Sequence, residues 1–364
     1  MSPACMTSRA RFTSALQGVR PDRVPIFDWV NNPALYTEVL GEDPAMYDGA
    51  LAVRLARALG LDAAWVPSGG FMGLPDERFA WTDAKTYVDE WSTTYQVGEG
   101  SWPLAFPIGH PVRTRRDWQP IAAALPDPLA NWRLKYAEAA VAEAHGGPDE
   151  TAVVAGIRGP FSSAWMLMGL QEMSFALVDD PTLLEDIFAT TADYWAAVGC
   201  RLAAAGVDAV VVHDDQGSGR ATFIAPAQFR ARVLPHLRRE IASLRAAGLP
   251  VILHSCGNIA AILPDLVGTG IAGLNNLQRS AGMDLAAVKS DYGDRLCLIG
   301  NVDATNVMPG ASPAEVTQAV VECLRVAAPG GRYILATDHS FHEGVPLANV
   351  RAFIAAGKEH GSYN

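Results

Sequence analysis

His254 and Cys256 stand two residues apart at the end of an apolar run, GLPVILHSCGN (248–258). In a strand, residues i and i+2 share a face, so both side chains would aim into one space. Imidazole nitrogen and thiolate sulfur are favoured zinc donors, and a catalytic zinc takes three protein ligands and keeps one position open. A packed cysteine beside a hydrogen-bonded histidine would leave the same H-x-C pattern. A third donor is on offer in ATDHSFHEGVP (336–346), which carries Asp338, His339 and His342 just after another apolar run. Asp338 and His339 alternate faces, so one of them can join His254 and Cys256. Cys297 lies inside its own apolar run and is discounted as a ligand.

A second cluster is HDDQGSG (213–219). Of the adjacent Asp214 and Asp215, one can face a cavity as a base, a substrate anchor or a partner to a ligating histidine, and the other braces the loop. The GSG is too short for a phosphate-binding P-loop and has no lysine after it. IFDWVNNP (26–33) adds Asp28, Trp29 and Asn31, with Trp29 as a pocket wall or as packing. Gln278, Asn301 and Asp303 end two further apolar runs.

The elements that must position these groups alternate. β-rich runs are predicted at 23–29, 62–67, 152–159, 208–215, 250–257, 272–277, 295–303 and 333–339, with helical patterns such as 226–247 and 312–328 between them. Eight strands in that rhythm predict a (β/α)8 barrel, an α/β fold whose chemistry sits at the C-terminal ends of the strands. An open doubly wound sheet is the alternative. All the polar clusters above fall at those ends. The chain is about a hundred residues longer than a minimal barrel. The excess is read as an insertion at 67–150, rich in Gly, Pro and Trp and holding a hairpin-like TYVDEWSTTYQVGE, that covers the barrel mouth. Trp81, Trp91 and Trp102 would wall the pocket or join the core. The whole chain, 1–364, is read as one domain.

Composition narrows the classes. Hydrophobic residues make up 49% and the formal net charge is −11, which supports a large core and argues against nucleic acid. The densest basic spot, RTRRDW (113–118), reads as a solvated surface turn. No run approaches the length of a membrane helix, and the first residues read as a helix start, so a cytoplasmic protein is the expectation. The five cysteines are scattered with no C-x-x-C, which argues against a disulfide framework. Cys200 and Cys323 are expected to pack in helices.

Taken together, VILHSCGN, LIGNVDATNVMPGASPAEV, GGRYILATDHSFHEGVPLANV and GKEHGSYN make the C-terminal half resemble the uroporphyrinogen decarboxylase superfamily. Within it, the likeness is to the zinc-dependent methyltransferases that exchange methyl groups with corrinoid proteins. Weaker matches are LPDP (125–128), GPFSSAWMLMG and GVDAVVVHDDQGSG. The resemblance implies the same barrel, and a homodimer at the level of the family. True decarboxylases follow the first strand with an arginine-bearing motif similar to MRQAGR; FDWVNNPALY stands here, without arginine. A tetra-anionic porphyrinogen would lack its counter-charges. The methyltransferases hold zinc by His-x-Cys and a distant cysteine. His254 and Cys256 match the first two, and His339 falls where the distant cysteine would be.

The resemblance therefore implies a zinc site of His254, Cys256 and His339, with Asp338 as the alternative third ligand. It implies transfer of a methyl group from a small, O-methylated substrate to the cobalt of a corrinoid (cobalamin) carried by a partner protein. Asp214, Asp215 and His339 would be catalytic. Asp28, Trp29, Asn31, Gln278 and Asn301 would bind substrate. Replacing thiolate by imidazole leaves a stronger Lewis acid, suited to O-demethylation. The rival readings are a metal-free decarboxylase or lyase acting on a smaller substrate, and a barrel reused for binding.

Overall fold

The computed structural model describes residues 6–44, 47–98, 100 and 102–363; Cys5 lies outside them. Seven parallel strands form one curled sheet: β1 (Ala63–Pro67), β2 (Ala152–Arg158), β3 (Ala209–His213), β4 (Val251–His254), β5 (Gly273–Asn275), β6 (Cys297–Ile299) and β7 (Tyr333–Ile334). They lie side by side in chain order. Helices cross between them; Pro313–Ala327, for example, links β6 to β7 and starts on a Ser312/Glu315 capping box.

The eighth position is filled differently from the strand expected at 23–29. The chain there makes a single parallel bridge, Ile26 to Leu335. Pro25 has no N–H to extend a ladder. Closure still occurs. Leu335 N donates to Pro25 O and Phe27 N to Leu335 O, both at 2.9 Å, while on the other side Asp62 N donates to Ile26 O at 2.7 Å. The fully buried Asp62 carboxylate completes the seam, accepting from Ile26 N (2.7 Å), Arg11 Nη1 (2.6 Å) and Arg23 Nη1 (2.9 Å). The fold is a (β/α)8 barrel.

Strand parity decides what the barrel encloses. Ala63 and Trp65, Ala152 and Val154, Ala209 and Val211, Ile252, and Cys297 and Ile299 form one interior cluster. Continuing the same parity puts His213, His254 and Asn275 at the upper, C-terminal layer of that interior. The ladder sets them abreast: His213 pairs with His254, and His254 with Asn275.

Between β1 and β2 the chain forms a four-stranded antiparallel sheet (80–109), built on the hairpin Thr86–Val88 with Thr94–Gln96. It then returns through the helix Lys135–Ala144, which packs on the helix Gly49–Leu59. RTRRDW is not a surface turn. A helix, Arg115–Ala123, begins there, with Asp117 accepting from Thr114 N at 2.8 Å, and Trp118 is buried. The periodic pattern of 116–123 outweighs its charges. Cys297 and Cys323 are buried and Cys200 is partly so, all as free thiols. No helix among the described residues is long and apolar enough to cross a membrane.

Candidate active site

The polar end of the barrel interior holds a compact donor cluster. Asp215, His254 and Cys256 bring one ligand atom each to within 4.8 Å of one another. Cys256 Sγ lies 3.5 Å and Asp215 Oδ1 3.6 Å from His254 Nε2. Zinc bonds of about 2.0–2.3 Å at tetrahedral angles separate their donors by roughly 3.3–3.6 Å. The residues present therefore fit a zinc ion.

Each donor is held from behind. His254 Nδ1–H donates to Asn275 Oδ1 at 2.7 Å, leaving Nε2 as the lone-pair nitrogen facing the cluster. Cys256 N donates to Asp215 Oδ1 at 2.7 Å, which locks the β3 loop to the β4 loop. Gly257, at φ 81°, makes that approach possible: a Cβ there would sit 2.2 Å from Gly217 C. Burial, with Asp215 adding to it, pushes the Cys256 thiol well above its ordinary range. A divalent cation among these donors reverses that preference. Burial also lowers His254 and keeps it neutral, the form that ligates.

Below the cluster lies a plug of rings. Trp29 sits 4.5 Å from His254 and 4.9 Å from His213, and Phe71 4.8 Å from His213 (ring centroids). Burial, then His254 and His339, hold His213 well below its usual pKa. Trp29 Nε1, Trp65 Nε1 and His213 Nε2 are all buried without a hydrogen-bond partner.

Beside the cluster opens a pocket of about 320 Å³ lined by Asp215, His339, Ser340, His342 and Asn31, with apolar walls from Met72, Trp102, Phe106, Trp165 and Met166. His339 is exposed and lines the pocket, with its ring 6.4 Å from that of Trp29 (centroids). Its Nδ1 meets Ser340 Oγ at 3.0 Å, and desolvation, then the neighbouring His254, lowers its pKa and favours the neutral imidazole. His342 is anchored through Nε2 to Ala304 O at 3.0 Å. Of Trp81, Trp91 and Trp102, Trp102 reaches the pocket. Trp91 is buried against Tyr194, and Trp81 is 40% exposed beside Tyr87.

The other residues singled out in the sequence take these places. His339 lies outside the set of donors within 4.8 Å of one another, its ring centroid 6.5 Å from that of His254. Asp338, the alternative ligand, spends both oxygens on Ala304 N (2.8 Å) and Arg279 N (2.9 Å). Asp214 is fully buried and accepts from Ser162 N (2.8 Å) and Gln216 Nε2 (2.6 Å), with burial pushing it up to about 7. Asp28 stitches the closing segment to the strand beside it, accepting from Thr337 N at 2.8 Å and Trp29 N at 2.8 Å. Gln278 accepts from Gly257 N at 2.8 Å, and Asn301 donates to Leu277 O at 2.8 Å. Asp338, Asp214, Asp28, Gln278 and Asn301 thus have polar atoms bonded to neighbouring protein groups and brace the loops around the site. Trp29 touches His254 from below, and Asn31 lines the pocket. Asn275, Asn276 and Phe71 were missed. The signal for Asn275 was an amide ending a strand at a position whose parity points inward, beside His254; Asn276, one residue further, had no such signal.

A family model, uroporphyrinogen decarboxylase (URO-D), matches residues 94–360. Curated relatives include the methylcobamide:CoM methyltransferase MtaA of Methanosarcina barkeri, 28% identical over 59% of this chain and 60% of its own length. A methylated-thiol–coenzyme M methyltransferase of Methanosarcina mazei is 27% identical over 55% of this chain and 51% of its own. A uroporphyrinogen decarboxylase of Chlorobium phaeovibrioides is 27% identical over 50% of this chain and 49% of its own. The aligned part thus spans 49% to 60% of the length of these relatives. A solved methyltransferase from Methanosarcina mazei superposes with a TM-score of 0.74 over 97% of this chain and 99% of its own, at 22% identity, which bears out the fold.

Proposed function

This chain belongs to the uroporphyrinogen decarboxylase family, and from that premise we propose that it is a zinc-dependent methyltransferase working with a corrinoid protein. The observation that carries the reading is the Asp215, His254 and Cys256 donor cluster, which reaches a pocket with aromatic walls through Asp215. The substrate proposed is a small O-methyl compound, and the acceptor is the cobalt of a corrinoid supplied by a partner docking over the mouth. A set with one thiolate, one imidazole and one carboxylate is harder than a sulfur-rich one and suits an oxygen-bearing substrate. When bound there, zinc would supply Lewis-acid polarisation of the substrate's leaving oxygen.

The remaining residues have their own tasks. Met72, Trp102, Phe106 and Trp165 exclude water and hold an apolar body. His339, neutral and open to the pocket, can take or return a proton at its Nε2. The segment 67–150 supplies part of that wall and so serves as the cap. Decarboxylation of a tetra-anion fits poorly, since the described pocket lining carries Asp215 and no Arg or Lys.

The test is to give purified, zinc-loaded protein cob(I)alamin and a panel of aryl and alkyl methyl ethers, and to follow methylcobalamin by its absorbance. Growth of methylcobalamin with one ether supports the reading. No metal in the protein, with carbon dioxide released from a carboxylated substrate, would establish the decarboxylase instead. A separate expectation concerns His339. His339→Ala should keep full metal content yet lower turnover by about 10²-fold, the usual worth of a general acid–base group. Loss of metal in that variant would return His339 to the ligand set.

A further inference from the structure

Two consecutive amides, Asn275 at the end of β5 and Asn276 just after it, are buried. Asn275 Nδ2 donates to Ile299 O at 3.3 Å, which turns its Oδ1 towards His254. Nδ1 of His254 must then carry the ring's proton, and Nε2 is left to donate its lone pair. Asn276 acts on the other donor: its Nδ2 points at Cys256 Sγ, 3.5 Å away. Its Oδ1 is buried and has no hydrogen-bond partner.

That unpaired oxygen is informative. A buried amide with an unmet acceptor is costly, and its orientation has to be set by what the donor end gains. A neutral thiol is a weak acceptor and offers little. A thiolate offers a charge-assisted bond. The sulfur lies between this amide from β5 and the Asp215 carboxylate from β3, whose Oδ1 takes the Cys256 N–H.

We propose that Asn275 and Asn276 are a matched pair of positioning residues for the metal. Asn275 selects the ligating tautomer of His254, and Asn276 withdraws electron density from the Cys256 thiolate. The second action moderates sulfur donation and leaves the metal a stronger Lewis acid, in keeping with an oxygen substrate. This inference rests on the metal reading above.

The experiment uses the full chain loaded with cobalt(II), whose sulfur-to-cobalt charge-transfer band in the near ultraviolet reports the thiolate directly. Removing a hydrogen bond to sulfur raises its lone-pair energy, so in Asn276→Ala the band should move to lower energy. Cobalt affinity should fall about tenfold or more. Asn276→Asp, of the same size, turns a carboxylate on the sulfur; it should shift the band the same way and carries the test if the alanine variant unfolds. Asn275→Leu should lose about 10–100-fold in affinity with the band in place, because it acts on nitrogen. An unmoved band in both Asn276 variants overturns the role on sulfur, and unchanged affinity in Asn275→Leu overturns the role on histidine. A parent protein with no charge-transfer band would overturn the metal reading itself, a result separable from either.

Discussion

His254→Ala and Cys256→Ser are each expected to strip the protein of stoichiometric metal and to lower methyl transfer by roughly 10³-fold, the rate equivalent of about 4 kcal/mol. Two of three cluster donors survive in each variant, but the geometry argues that two do not suffice. The cluster is built by three loops of chain locked to one another: Asp215 takes the Cys256 amide, Asn275 holds His254, and Asn276 faces Cys256 Sγ. Losing the sulfur removes the softest donor and one of two anionic charges, and losing the imidazole removes the donor common to both short distances. Asp215→Asn belongs in the same series. It keeps size and one oxygen and removes the charge, so it should weaken metal binding less than Cys256→Ser. The measurement is metal content by elemental analysis beside turnover. Activity of His254→Ala equal to the parent, with or without metal, would favour the metal-free lyase.

The second large effect is on stability. Asp62→Ala should destabilise the fold by about 3–5 kcal/mol, the usual cost of breaking a buried ion pair by removing one partner. The carboxylate is buried and meets Arg11, Arg23 and the Ile26 N–H. Its loss strands charge and also unfastens the segment that closes the barrel. Arg11 keeps Asp22 at 2.6 Å, so the guanidinium most at risk is that of Arg23. Asp62→Asn should cost less, because an amide oxygen can still accept from Ile26 N. Urea unfolding at fixed pH reads both; a midpoint for Asp62→Ala within error of the parent would remove Asp62 from the closure.

Much of the architecture was legible because it depends on local rules. The runs at 62–67, 152–159, 208–215 and 250–257 are β-branched and apolar enough to be buried on both faces, and each became a strand. The run at 23–29 has the same composition but places Pro25 where a ladder needs an N–H, and it closed the barrel by side-chain and bridge contacts instead. RTRRDW was misjudged because its charges drew more weight than the helical spacing around Trp118.

At the site, the H-x-C spacing in the run 250–257 leads to the expectation that His254 and Cys256 share a space; β4 ends at His254, and the loop that follows holds Cys256 Sγ 3.5 Å from His254 Nε2. The sequence also leads to the expectation that one of the adjacent Asp214 and Asp215 turns away, and the loop after β3 (which ends at His213) separates them. Which of them turns is a matter of what lies behind the strand: Ser162 N and Gln216 claim Asp214, and Asp215 remains for the cluster. The same reasoning separates Asp338 from His339. Both follow β7, but the N–H groups of Ala304 and Arg279 consume the carboxylate, and the ring of His339 is left on the pocket side of Trp29. The third donor to the cluster could not be read along the chain. It comes from the loop after β3, the strand beside β4, and its distance from His254 is set by ladder register and loop packing, neither of which a single sequence records.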